Sequence, residues 1–311
     1  MKISKQAVYK IIQRDNMKKE NILFIKNIVF EVRKDHPSMG IRDIYFKKLP
    51  YCLGRDKFEE LCRLVGLMLK RKKRFIHTTD SKGVIRFDNL IENLEITRIN
   101  QVWQSDITYY DINGRYYFIT FIIDAFSRVI VGYSVSKRLT TEQTVIAALK
   151  KALKFRKGED LSDLIFHSDG GGQYYAKEFL ELTKNFKHSM CVAPWENGKA
   201  ERINGVIKNN YLRFRTITNY ETLEKEVDRS VYLYNHDKPH IELQRMTPIS
   251  FEKSIYLQNQ NPEEKKSSKF LEPSSELGLG LAQDQALSSP NKDNSTSDNM
   301  PKTSKQTVNH F

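Results

Sequence analysis

Three runs of β-branched and aromatic residues follow one another between residues 102 and 136: VWQSDITYYDI, RYYFITFIID and RVIVGYSVS. Asn113-Gly114 separates the first two, and this dipeptide is a strong short-range signal for a two-residue hairpin. Ser127-Arg128 marks the next boundary. Three successive antiparallel strands commit the chain to a sheet, and the pattern that follows decides its kind. A helical segment, TTEQTVIAALKKALKFR, leads to a strand, DLIFHSD. A helix, AKEFLELTKNF, a short strand, HSMCVAP, and long helices from about 198 to 235 come next. Antiparallel strands that give way to alternating helix and strand predict an α/β layer, a mixed sheet flanked by helices.

The first 99 residues read differently. Ile22, Ile25, Ile28, Val29 and Val32 recur at helical spacing and stop at HPSMG. IRDIYFKKL forms a second short helix, and DKFEELCRLVGLML a third, with Asp56 and Glu59 at capping-box spacing. Three short basic helices with tight turns suit a helix-turn-helix region or a plain helical bundle with a solvated basic face. The run Lys70, Arg71, Lys72, Lys73 and Arg74 follows directly and suits either a solvated linker or a phosphate-contacting segment. From about 257 to 311 the chain is poor in large apolar residues and reads as a disordered tail. The expected organisation is therefore a basic helical region over 1–99, an α/β domain over 100–256 and the tail over 257–311.

The chain carries a net charge of +13, unevenly placed. Residues 1–100 hold 23 Lys and Arg against 12 Asp and Glu, whereas residues 257–311 hold 6 against 7. Such an excess is open to a merely basic protein, but its concentration in the first third favours a nucleic-acid partner. Cys52, Cys62 and Cys191 are scattered, with no CxxC and no paired histidines, which argues against disulfides and zinc. No apolar run approaches the ~20 residues needed to span a bilayer, and the N-terminus carries no signal-peptide pattern, so a cytoplasmic setting is expected.

Among the many acids, three stand where chemistry is plausible. Asp106 lies mid-strand among Trp103, Ile107 and Tyr109, where a carboxylate needs a partner or a metal. Asp169 ends the strand DLIFHSD, and Glu201 lies near the start of the helix after PWENG. Two strand ends and one helix would together make an oxygen-lined site suited to Mg²⁺ or Mn²⁺, and two such ions can serve phosphodiester chemistry. Glu201, Asn204 and Lys208 fall at i, i+3 and i+7, on one helix face, so Lys208 can approach a DNA phosphate or remain a solvated helix lysine. Asp124 sits at a turn, where aspartate serves local hydrogen bonding. His167 and Ser168 are neighbours on a strand and point to opposite faces, which disfavours a nucleophile–base pair. GGGQYYAK lacks the GK[ST] ending of a nucleotide loop.

WQSDITYY, DAFSRVIVGYSVS, HSDGGGQY, ENGKAERINGVIKNNYL and YNHDKPHIELQRMTPISF, in this order, resemble the catalytic core of insertion-sequence transposases with a retroviral-integrase-type (DDE) domain. More closely, they resemble the second-frame product of two-frame bacterial insertion sequences. The similarity covers roughly residues 20–255, and HPSMGIRDIYFKKL resembles the helix-turn-helix segment ahead of that core. The resemblance implies an RNase H-like fold and a catalytic triad of Asp106, Asp169 and Glu201. It implies a DNA transposase that binds double-stranded element ends, cleaves them and transfers strands, acting as an oligomer, with an upstream-frame companion in some cases. Gly170 stands where the family has a bulkier residue, Gly198 where alanine is usual, and the Asp169–Glu201 segment is a few residues short. A transposase that only binds DNA is the alternative those departures raise.

Overall fold

The computed structural model describes residues 3–50, 52–69, 87–191 and 194–260, which fall in one structural unit. The basic run Lys70–Arg74 lies outside the described residues, as does the expected tail from residue 261 onward.

The hairpin forms as its dipeptide demands. β1 (Val102–Ile112) pairs antiparallel with β2 (Arg115–Asp124), Ile112 facing Arg115 across the two-residue turn. Asn113 and Gly114 both have positive φ, 53° and 81°, the backbone a type I′ turn requires. β3 (Ile130–Ser136) pairs antiparallel with β2, with a register shift at Ile122/Ile123. β4 (Ile165–Ser168) then joins the other edge of β1 in parallel, and β5 (Lys187–Met190) joins β4 in parallel. The strand order is β3-β2-β1-β4-β5, a mixed five-stranded sheet as the strand pattern predicts, with the RNase H-like topology that the resemblance implies.

Apolar residues alternate along these strands and bury both faces of the sheet. On one face, Trp103, Ile122, Val131 and Phe166 pack with Ala148, Leu149 and Ala152 of α4 (Ala147–Phe155) and Phe179 of α5 (Lys177–Leu182). On the other, Ile119, Phe121 and Ile123 pack with Ile203 of α6 (Gly198–Val206), Ile207, and Leu223, Val227 and Val231 of α7 (Tyr220–His236). The long helices expected from about 198 to 235 are α6 and α7, with shorter turns between them. α6 passes into a π-helical turn over Ile207–Tyr211 and a 3₁₀ turn over Leu212–Phe214, and Asn219 caps α7 through the Thr222 N–H at 2.8 Å. α8 (Pro248–Gln260) runs past residue 256, so the α/β region extends four residues beyond the expected boundary.

The N-terminal region contains three helices, but the first is not short: α1 spans Lys5–Asp35. Only Ile25, Val29 and Val32 of α1 are buried, so the periodicity visible in the sequence marks its packed half alone. α2 (Ile41–Lys48) and α3 (Arg55–Leu64) close a separate small core with it, through Ile44, Phe58 and Leu61. The expected Asp56 capping box does not form. Gly54 is the cap, Asp56 lies inside the first turn, and Glu59 pairs with Arg42 and Arg63 instead. No helix among the described residues is long and apolar enough to cross a membrane.

Candidate catalytic site

Parallel pairing of β1 and β4 sets Ser105 beside Ser168. The next residue on each is an aspartate: Asp106 within β1 and Asp169 directly after β4. Side chains alternate faces along a strand, so Ser105 and Asp106 diverge. Ser105 Oγ lies with Tyr174 OH at 2.9 Å in the α4 layer. Asp106 faces α6, where Asn204 Nδ2 donates to its Oδ2 at 2.6 Å. Asp169 Oδ1 accepts the Gly171 N–H at 3.1 Å, a local turn that fixes its carboxylate. Glu201 stands in the first turn of α6, one helical turn before Asn204, with its side chain exposed.

Electrostatics tie the three acids together. Burial, then the charges of Asp169 and Glu201, push the Asp106 carboxyl up to about 7. Burial also raises Asp169, against the pull of the Gly171 N–H. Two nearby carboxylates resist ionising together, which adds to the cost of charging Asp106. Beside them burial, then the Asp169 charge, pushes the Cys191 thiol up to about 12. Among the described residues no three His, Cys, Asp or Glu side chains close into a metal-binding cluster.

The glycines after Asp169 provide space and not unusual backbone, since none of the three has positive φ. A Cβ on Gly170 would stand 3.0 Å from Met190 Cε, and one on Gly171 would stand 3.0 Å from Asp169 Oδ1. The bulkier residue of the resembled family would therefore need Met190 to move.

Lys208 shares the helix face with Asn204, as the spacing predicts. Its ammonium donates to Thr108 Oγ1 at 3.1 Å and to the Tyr109 carbonyl at 2.8 Å, and burial lowers its pKa. Asn204 is 6% exposed, with its amide turned to Asp106, so it orients a carboxylate. Asp124 is buried and accepts the N–H groups of Asn100, Phe126 and Ser127, the local role its turn position predicts. His167 pairs with Ser189 Oγ at 2.9 Å and not with Ser168, and burial pushes its pKa down to about 4.

Sequence reading missed the residues that brace the site from across the fold. Asn197 Nδ2 donates to the Ser105 carbonyl at 2.9 Å, and Gln104 Nε2 reaches the Glu196 carbonyl at 3.4 Å. Both join positions 92 residues apart, and nothing local to either sequence stretch signals the contact. The arrangement presents two strand-borne carboxylates and one helix-borne carboxylate along one side of the sheet, all oxygen donors, beside a half-buried lysine.

Residues 96–194 and 185–248 each match a model described as an integrase core domain. The chain is 28% identical over 254 residues to the transposase for insertion sequence element IS629 of Shigella sonnei, covering 78% of this chain and 81% of that protein. A relative from the insertion sequence element IS986/IS6110 of Mycobacterium tuberculosis is 29% identical over 174 residues, covering 52% of this chain. That match spans 61% of the relative's own length. A solved structure of the HTLV-2 integrase catalytic core domain in complex with magnesium aligns with a TM-score of 0.39 and 23% identity, over 49% of this chain and 95% of that one. The two domain matches run without a gap across the whole sheet and the helix bearing Glu201, so the chain carries an integrase core domain and is similar to insertion-sequence transposases.

Proposed function

We propose that this protein binds the ends of an insertion sequence and catalyses cleavage and strand transfer of DNA, with Asp106, Asp169 and Glu201 as its catalytic carboxylates. The observation that carries the reading is the pairing of Ser105 with Ser168, after which Asp106 continues β1 beneath α6 and Asp169 directly follows β4. The donor set fits a hard divalent cation: it is all oxygen, and the repulsion that raises Asp106 is what a cation would cancel. Two Mg²⁺ or Mn²⁺ ions held by the three carboxylates would supply Lewis acidity for the attacking and leaving oxygens of a phosphodiester.

The remaining work belongs to the chain. Asn204 fixes the Asp106 carboxylate, and the Gly171 N–H fixes Asp169. Lys208, anchored to Thr108 and Tyr109, places a positive charge along the same groove, in reach of a DNA phosphate. The basic helices α1–α3 and the run Lys70–Arg74 supply sequence-independent attraction to duplex DNA. Joining two ends requires at least two copies of the chain on DNA, and an upstream-frame companion would add end binding. The setting is the bacterial cytoplasm, at the nucleoid.

The test substitutes each acid conservatively. Asp106→Asn, Asp169→Asn and Glu201→Gln are each expected to abolish Mg²⁺-dependent joining of a labelled end duplex while leaving its binding intact. Wild-type joining by any of the three removes that residue from the mechanism.

A further inference from the structure

On the other flank of α6 lies a cavity of about 320 Å³ that the carboxylates do not touch. Arg128, Lys199, Arg202 and Lys238 line it, with His240. Lys199, Arg202, Ile203 and Val206 lie at i, i+3, i+4 and i+7 on α6. At ~100° per residue that stripe is nearly opposite Glu201, Asn204 and Lys208. One helix thus turns Glu201 and Asn204 to one groove, and Lys199 and Arg202 to another.

The charges in this cavity are poorly compensated. Its two acids are Asp43 and Glu242. Asp43 is shared with Arg245 at 3.3 Å, and Glu242, largely exposed, holds Arg128 at 2.7 Å. Among the described residues, Lys199 and Lys238 donate only to backbone carbonyls, those of Ala125 at 3.0 Å and Pro239 at 3.3 Å. Arg202 makes no ion pair among the described residues. The cations also repel one another across the cavity they line. Burial and then the Lys238 charge push His240 down to about 3. His240 Nε2 is buried with no hydrogen-bond partner among the described residues. Arg128 moreover sits at φ 65°, a left-handed backbone costly for a long side chain, held there by its N–H to the Asp124 carbonyl at 2.9 Å. Converging desolvated cations and a strained arginine describe a binding site for a polyvalent anion.

We infer that this cavity seats a backbone phosphate of duplex DNA, at a second contact across α6 from the catalytic groove. The inference rests on the proposed function. A helix is ~10 Å across, which matches about three steps of a DNA strand at ~3.4 Å each. A strand held beside Asp106 and Asp169 can therefore place a phosphate a few nucleotides away over Arg202 and Lys238.

The experiment measures equilibrium binding of the full chain to a duplex oligonucleotide across a salt series, in divalent-free buffer, for wild type, Arg202→Ala and Glu242→Gln. Both substituted side chains are exposed, and matching melting curves confirm that each variant folds. Arg202→Ala is expected to weaken binding about 3- to 10-fold and to reduce the slope of log K against log salt by about 1. Glu242→Gln frees Arg128 and is expected to tighten binding, an effect that loss of a merely structural ion pair does not give. Histidine-labelled protein is expected to show the His240 ring resonances shifting on titration with the duplex. Wild-type slopes and affinities in both variants, with wild-type protein still binding DNA, overturn the cavity and leave the proposed function standing. Shifts of His240 with inorganic phosphate but not with duplex make free phosphate the ligand and overturn DNA as the occupant. Failure of wild-type protein to bind any duplex overturns both.

Discussion

Asp106 retains a proton up to about pH 7 because burial and two neighbouring acids make its charged form costly. The sign of the consequence follows from linkage. In the unfolded chain this carboxyl titrates at its ordinary value of 3.8, so between that pH and about 7 the folded state holds the extra proton. The site's favourable contribution is present below the unfolded value and is lost as pH rises through about 7. Asp106→Asn removes the titration. Melting temperatures of the two proteins from pH 5 to 8, without divalent ions, are expected to diverge, wild type falling relative to the variant. Parallel curves would show that the three acids do not share a field. At this scale much was legible: a charge inside an apolar strand and another closing an apolar strand are anomalies that sequence exposes directly. Asn204 was visible on its helix face, whereas Asn197 and Gln104 were not, since each acts through a distant backbone carbonyl.

Elements hold these residues in register, and their ends are where sequence reading slipped. α1 extends to Lys5 through residues that pack on nothing described, so no apolar periodicity announced them. The break between α6 and α7 ends at Asn219, whose side chain caps α7. α8 crosses the expected start of the tail, and a buried ion pair fastens it to the end of α4. Glu252 receives both terminal nitrogens of Arg156, Nη1 at 2.7 Å, and also the Ser127 hydroxyl at 2.5 Å. Both side chains are almost wholly buried. Glu252→Ala leaves a guanidinium buried with only Asp124, at 3.8 Å, and Glu159, at 3.7 Å, near it. Loss of one partner of a buried pair costs about 3–5 kcal/mol. Urea unfolding is expected to show a loss of that order, and a change below ~1 kcal/mol would mean that the remaining acids or water compensate.

Across the whole molecule, the helical region and the α/β region meet at Asp237. Its carboxylate accepts from His36 Nε2 at 2.6 Å and from Lys47, whose ammonium also reaches the Asp237 carbonyl at 2.9 Å. Burial lowers the pKa of His36, and its Nδ1 is hydrogen-bonded with Tyr211 OH at 3.0 Å, at the end of the π-helical turn. Arg229–Asp35 at 2.6 Å and Arg215 to the Lys34 carbonyl at 3.0 Å extend the seam. One acid therefore couples the basic helices to the segment that continues α6. Asp237→Asn is expected to loosen this seam without unfolding either part. Hydrogen exchange is expected to rise several-fold in residues 30–48 while β1–β3 stay protected, and uniform protection would show the seam to be set by packing alone.

Sequence by itself determined the sheet and two of its acids. Strand periodicity, the Asn113-Gly114 turn and carboxylates at apolar strand positions are local signals, each confined to a few neighbouring residues and enforced by backbone sterics or burial. Tertiary structure decided what surrounds the acids. Parallel pairing of β1 with β4 brought Asp106 beside Asp169, and docking of α6 turned Asn204 onto Asp106. The same docking gathered Arg128, Lys199, Arg202 and Lys238 around one cavity. Long-range contact is the physical reason: a charge's partner is chosen by packing between elements, and no spacing along the chain records it.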